Sequence, residues 1–150
     1  MKYTCEIIID LPRTEVIRKM DNAENMKHWQ KGLVGHEFLS GEHGADGSTM
    51  KLEYLLGKRE MVLTETIIAN KFPDVFHATY DAKGVHNIQK NYFEEVDSST
   101  TKWISECEFQ FSGFGMKLMG TIMPGVFKKQ SKGYMTDFKN FAEKGTSVSS

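Results

Sequence analysis

Three amide side chains, Asn87, Gln89 and Asn91, recur at alternate positions of one apolar segment. Alternate residues of an extended strand point to the same face, so these amides would share a face with Phe93. Amides donate and accept hydrogen bonds, which suits a wall that orients a polar group of a ligand. The alternation also allows the reverse arrangement, in which Ile88 points inward and the amides lie on a solvated sheet face.

Three further side chains, Tyr54, His77 and Tyr80, combine an apolar body with one polar end. Such groups can hold a ligand in a fixed orientation, and we predict that they do so. Glu65 has the residue type of a general base, although a glutamate in a strand usually faces water. A base also needs a partner that tunes it, and the sequence names no such pair. Ligand binding is therefore expected ahead of catalysis, and the catalytic residues stay unknown.

No metal or cofactor motif is present in the sequence. The five histidines lack the spacing of a zinc site, and there is no nucleophile motif or phosphate-binding loop. Cys5 and Cys107 stand outside any CxxC pair and are expected to be buried free thiols. We expect neither a metal nor a cofactor.

Charge and hydropathy limit the partners. The 150 residues include 19 basic and 20 acidic side chains, for a net charge of -1, which gives no electrostatic reason to bind nucleic acid. No apolar run reaches the length of a membrane span, and the first residues do not resemble a signal peptide. The sequence predicts a cytoplasmic protein without membrane insertion, and a monomer or weak homodimer.

The elements that must position these side chains follow from two periodicities. A first strand over Lys2–Asp10 is followed by two short helices, one starting at Pro12 and one capped by Asp21 and ending at Trp29. Alternating apolar residues separated by turn-forming sequences then predict six antiparallel strands. These strands cover 34–41, 48–56, 60–70, 75–81, 85–96 and 100–112.

A helical period returns near the C-terminus, where an apolar stripe continues to Phe141. Pro124-Gly125 interrupts it, so the longer part is predicted to run from Val126 to Glu143. One helix cannot cover a flat seven-stranded sheet, so the sheet must curl around it. A curled sheet around one helix tends to leave a gap, which is where a ligand would bind.

Several stretches resemble the SRPBCC superfamily, which includes START-like, birch-pollen-allergen-like and polyketide cyclase/dehydrase-like proteins. They are the Pro-initiated helix after strand one in 9–16, the short helix ending in tryptophan in 21–29, the glycine-rich turn 44–48 and the last strand opening at 100–103. The resemblance implies an α+β helix-grip fold, a curved seven-stranded antiparallel sheet around a long C-terminal helix with two short helices after strand one. It also implies one ligand-binding domain over 1–145, and we expect 146–150 to be a disordered tail.

The resulting functional hypothesis is a binding or carrier protein for a small hydrophobic ligand, such as a lipid, a polyketide-like or an aromatic molecule. The alternatives are a cyclase/dehydratase-type enzyme and a protein-interaction module of the chaperone-activator kind. The residues expected to line the ligand cavity are Tyr54, His77, Tyr80, Asn87, Gln89, Asn91, Phe93, Trp103, Phe109, Phe111, Met119, Met123, Phe127, Tyr134 and Phe138.

Overall fold

The computed structural model describes residues 1–114 and 124–149. The strands are β1 (Lys2–Ile9), β2 (Leu33–Ser40), β3 (Thr49–Leu56), β4 (Arg59–Lys71), β5 (Val75–Ala82), β6 (Val85–Asp97) and β7 (Thr100–Phe111). The helices are α1 (Arg13–Met20), a 3-10 turn (Ala23–Asn25), α2 (Met26–Trp29) and α3 (Pro124–Lys144).

The seven strands form one antiparallel sheet in the order β1-β7-β6-β5-β4-β3-β2. Each strand begins and ends within one residue of the bounds that the sequence predicts. Consecutive strands pair from β2 to β7 because short turns join them, and β1 closes the sheet against the last strand. Gly57 and Gly84 have φ angles of 66° and 78°. Glycine adopts this left-handed backbone without steric cost, which is why it occupies the β3–β4 and β5–β6 turns. The α+β helix-grip prediction is confirmed.

Helix α3 lies along β1, and hydrogen bonds fix its position there. The Tyr3 hydroxyl contacts Ser131 Oγ at 2.6 Å and donates to the carbonyl of Phe127 at 3.1 Å. Farther along, Lys139 Nζ donates to the carbonyl of Ile8 at 2.7 Å. Since β1 is an edge strand, this placement leaves the strands beyond β7 uncovered by α3.

The short helices close the other side of the interior. Val16 of α1 is completely buried, and Met26 of α2 is 7% exposed. The predicted cap is displaced by one residue, because Asn22 Oδ1, and not Asp21, accepts the hydrogen bond from the Glu24 amide at 3.0 Å. This correction follows from the 3-10 turn that precedes α2.

An aromatic cluster fills the space between α2, α3 and β7. The Phe138 ring is completely buried and meets the rings of Trp29 and Trp103 edge to face, at centroid distances of 5.2 and 5.5 Å. Phe93 stacks on the other side of Trp103 at 5.9 Å. Edge-to-face and offset-stacked pairs are the favourable geometries for aromatic rings, so this part of the core is densely packed.

The chain after α3 carries no regular secondary structure in 146–149. Gly145 ends the helix with a φ of 71°, and its amide donates to the carbonyl of Phe141 at 2.8 Å. Ser147 Oγ lies 2.8 Å from His28 Nδ1, and the amide of Val148 donates to the carbonyl of His28 at 3.0 Å. These bonds join the segment to α2.

Within the part of the chain that the structure describes, no helix is both long and apolar enough to cross a membrane.

Candidate functional site

A cavity of about 470 Å³ lies between α3, the short helices and the concave face of the sheet. Its volume falls within the range of about 300–1,000 Å³ that is usual for small-molecule sites. Strands β3 to β7 all contribute wall residues, whereas α3 lies along β1 at the edge of the sheet. The cavity is thus a consequence of one helix lying over only one side of a wide sheet.

The amides of β6 form one wall of this cavity. Asn87, Gln89 and Asn91 all line it, so the inward arrangement of this strand is the one found. Gln89 Nε2 donates to Asn87 Oδ1 at 2.8 Å, and Asn87 Nδ2 donates to the carbonyl of Glu108 at 3.1 Å. Asn91 Oδ1 accepts from Trp103 Nε1 at 3.0 Å. These bonds hold the three amides in place and leave further donor and acceptor positions for a ligand.

An acidic group stands on the neighbouring wall. Glu65 of β4 lines the cavity and lies directly opposite Tyr80 of β5 in the strand pairing. Burial raises the pKa of the Glu65 carboxyl, an effect partly offset by the Tyr80 phenol and the more distant His43. The pKa of Tyr80 is raised well above its usual value by burial and by the Glu65 charge. The two groups form an inward-facing pair, and burial favours the protonated, uncharged form of both.

Tyr54 connects the sheet to the short helices. Its hydroxyl donates to Gln30 Oε1 at 2.5 Å, just after α2 ends. The pKa of Tyr54 is raised by burial, with smaller contributions from Tyr134 and Glu65. The phenol is therefore neutral at physiological pH and serves as a donor that orients Gln30 in the cavity wall.

Helix α3 supplies the opposite wall with Phe127, Gln130, Ser131, Tyr134 and Met135. The spacing of three or four residues places these side chains on one helical face. Met135 is 2% exposed and was not among the residues expected to line the cavity.

The cavity has two rims. One rim carries Asp21, Phe38 and His43, which are all exposed, between α1 and the β2–β3 region. The other carries Arg59 and Val126, near the β3–β4 turn and the start of α3. The charged side chains of the wall, apart from Glu65, are thus found at its edges.

The structure brings together most of the residues expected from sequence. Those that line the cavity are Tyr54, Tyr80, Asn87, Gln89, Asn91, Trp103, Phe109, Phe127 and Tyr134. Met119 and Met123 lie outside the described residues, so the structure says nothing of their place.

Four expected residues are not in the wall, and one of them is on the wrong face. His77 pairs with Lys90 on the convex side and meets the ring edge of Tyr92, because its parity is opposite to that of Tyr80. Phe93 and Phe138 belong to the aromatic cluster. Phe111 stacks on Phe109 at 5.8 Å, beyond the end of the wall. The last three face inward, but neighbouring rings fill the space in front of them.

Sequence reasoning underrated Glu65 and missed Gln30, Arg59 and Ser105. The signal for Glu65 was its parity with Met61, Leu63 and Ile67, which all line the cavity too. No comparable pattern marks Gln30, since it lies in a connection whose course depends on tertiary packing.

No group of three or more histidine, cysteine or acidic side chains is arranged to hold a metal ion among the described residues. Cys5 and Cys107 are both buried free thiols, on adjacent strands.

A scan against protein-family models and a search of the curated proteins each gave no match. Solved structures do match over nearly the whole chain. The Zhui aromatase/cyclase from Streptomyces sp. R1128 superposes with a TM-score of 0.80 at 12% identity, covering 96% of this chain and 94% of that one. Ara h 8.0201 gives a TM-score of 0.75 at 14% identity, covering 95% and 97%.

A truncated norcoclaurine synthase from Thalictrum flavum gives a TM-score of 0.71 at 8% identity, covering 96% and 94%. Identities this low establish shared architecture and not shared activity. Together with the curved sheet and the C-terminal helix, these likenesses show that the chain has the SRPBCC-type helix-grip fold.

Proposed function

We propose that this protein binds a small, largely apolar molecule in the cavity between α3 and the sheet. The observation that carries the proposal is the cavity itself, about 470 Å³ in volume and lined mainly by aromatic and aliphatic side chains. Several of its polar groups are held by hydrogen bonds, such as that between Trp103 and Asn91. An apolar enclosure with a few oriented polar groups is the usual form of a small-molecule site. Lipids, polyketide-like and aromatic molecules all fit this description.

The structural neighbours are consistent with such a role. One of them is described as an aromatase/cyclase, and a norcoclaurine synthase was solved in complex with dopamine and hydroxybenzaldehyde. These descriptions concern the neighbours, and they support small-molecule binding here only through the shared fold.

Binding of the neutral fluorescent probe N-phenyl-1-naphthylamine tests the proposal. We expect a dissociation constant on the order of 1 μM, or about -8 kcal/mol. Gln89→Trp places an indole in the cavity and should abolish probe fluorescence. Ile88→Trp is the matched control, because Ile88 is the next residue of β6 and faces the convex side. Equal probe binding by both variants would place the site elsewhere.

A second candidate is an enzyme of the cyclase/dehydratase type, which the inward Glu65–Tyr80 pair favours. The Glu65 carboxylate would remove a proton from a carbon beside a carbonyl group, while the Tyr80 phenol would donate a hydrogen bond to the carbonyl oxygen. Deuterium exchange into an apolar β-diketone such as benzoylacetone measures this step. Exchange should be faster with the wild-type protein than with Glu65→Gln, and equal rates would exclude this chemistry.

The interaction-module alternative would lead if α3 and the sheet packed solidly against each other, because the other two functions would then have no site. The cavity removes that reason to prefer it.

A further inference from the structure

The carboxyl group of Glu65 is the acidic group of the cavity wall that lies away from its rims. Its partners in the strand pairing are Met50 and Tyr80, so the sheet encloses it on both sides. Asp21, the other wall carboxylate, is exposed. None of the ion pairs formed by residues 1–114 and 124–149 includes Glu65. An ionised carboxylate in such a place lacks a compensating positive charge.

Three tyrosines line the same cavity as this carboxyl group, and one of them, Tyr80, lies directly opposite Glu65 in the strand pairing. The charge of Glu65 also contributes to the raised pKa values of Tyr80 and Tyr54. The four side chains come from β3, β4, β5 and α3, and all of them line the cavity. Phenol rings attract cations through the negative charge of their faces, most strongly where water is excluded.

We propose that the cavity selects an apolar molecule that carries one ammonium group, held by the carboxylate of Glu65 and the rings of Tyr54, Tyr80 and Tyr134. This inference deepens the binding function proposed above and depends on it. The ammonium group would lie against β4 and β5, and the apolar body would fill the space toward the aromatic side chains of α3 and β7.

The balance of desolvation favours a cation over other head groups. Folding has already reduced the hydration of the half-buried Glu65, so a cationic ligand adds mainly its own desolvation cost and supplies the missing positive charge. A neutral ligand leaves the carboxylate without compensation. A carboxylate ligand would add a second negative charge in a poorly screened space, which is the most unfavourable case.

Acid should weaken the binding of the cation. Protonation of Glu65 removes the negative charge, and the raised pKa of this group moves the loss toward neutral pH. Tyr54, Tyr80 and Tyr134 stay neutral, since burial raises the pKa of each. The other charged or titratable side chains of the wall include His43 in the β2–β3 loop, Arg59 at the far end of β4 and Asp21 after α1. Any pH response that persists in Glu65→Gln therefore belongs to a group other than Glu65.

The experiment uses two ligands of one shape, (2-naphthylmethyl)trimethylammonium and the neutral isostere in which carbon replaces nitrogen. The quaternary nitrogen keeps its charge at every pH, so pH acts on the protein alone. Displacement of N-phenyl-1-naphthylamine, followed between about pH 8 and about pH 5, reports both affinities. The wild-type protein should bind the cation at least about tenfold more tightly than the isostere at the higher pH.

Glu65→Gln should abolish this preference and keep the affinity for the neutral isostere, which shows that the cavity is intact. Glu53→Gln removes a carboxylate on the convex face, outside the cavity, and should keep the preference within about twofold. Equal or tighter binding of the isostere by the wild-type protein would overturn the inference and leave the proposed binding function standing. Failure of both ligands to bind would overturn both.

Discussion

The interior between α3 and the sheet has two halves that are filled differently. Toward α2, the rings of Trp29, Trp103 and Phe138 interlock, and Phe138 is completely buried. Toward the β3–β4 turn, the same helix and sheet enclose a cavity of about 470 Å³. Strand β6 crosses the boundary: Phe93 lies in the aromatic cluster, and Asn91 two residues earlier lines the cavity.

The comparison teaches that the cavity depends on side-chain size and polarity as much as on backbone shape. Large rings meet across the gap in one half, whereas the other half places amides and serine hydroxyls among the aromatic and aliphatic side chains of its wall. An amide in that position must also keep its hydrogen bonds, which prevents the wall from collapsing inward. Four predictions test this contrast, from the largest effect to the smallest.

Truncating a ring should cost more in the packed half than in the hollow half. Phe138→Ala should lower the free energy of unfolding by about 3–5 kcal/mol, because it removes buried area and creates a cavity. Phe127→Ala, on the same helix, should cost only about 1–2 kcal/mol, because its side chain already borders empty space. Urea denaturation measures both values. Equal losses would mean that the two halves are packed alike.

The hydrogen bond between Trp103 and Asn91, at the boundary between the two halves, should contribute less to stability than the ring of Phe138 does. Trp103→Phe removes the donor to Asn91 Oδ1, a contact of 3.0 Å, and leaves a buried acceptor without this partner. We expect a loss of about 1–3 kcal/mol in the free energy of unfolding. Combining the change with Asn91→Ala in a double-mutant cycle isolates the bond, and strict additivity would show that it contributes nothing.

Glu65 should make the protein less stable as the pH rises. Its pKa is higher in the folded protein than in the unfolded chain, because burial disfavours the charged carboxylate. Between these two pKa values the folded state holds more protons, so stability falls with rising pH, by at most about 1.4 kcal/mol per pH unit for one proton.

Urea midpoints measured across the acidic and neutral range test the sign. The difference between wild type and Glu65→Gln isolates this group from the surface carboxylates. A difference that grows in favour of wild type as the pH rises would contradict the raised pKa.

The two thiols should differ in reactivity with little effect on stability. Cys5 lies in the aromatic cluster's part of the core, and Cys107 lines the cavity. Burial also raises the pKa of Cys5, which reduces its thiolate fraction. A small apolar thiol reagent should therefore modify Cys107 in the folded protein and Cys5 only after unfolding. The single variants Cys5→Ala and Cys107→Ala show which thiol reacts in each case. Faster modification of Cys5 than of Cys107 would mean that the reagent enters the half described here as packed.

The sequence alone determined the order and bounds of the elements. Apolar residues alternate from Leu33 to Phe111, and turns at Gly57 and Gly84 interrupt them. These local signals predict successive antiparallel strands, and the observed strand pairing agrees with them. Parity predicted that Asn87, Gln89 and Asn91 share a face with Phe93, since side chains alternate strictly along a regular strand, but it did not decide which face points inward.

Only the tertiary structure decided which inward side chains meet empty space and which meet other rings. Phe138 and Tyr134 share a helical face, but the first packs against Trp29 and Trp103 while the second lines the cavity. Burial of Glu65 was equally beyond local pattern, because a strand residue is desolvated only when its neighbours in space enclose it. Those neighbours come from the paired strands β3 and β5, and the position of α3 along β1 determines how much of the sheet stays uncovered.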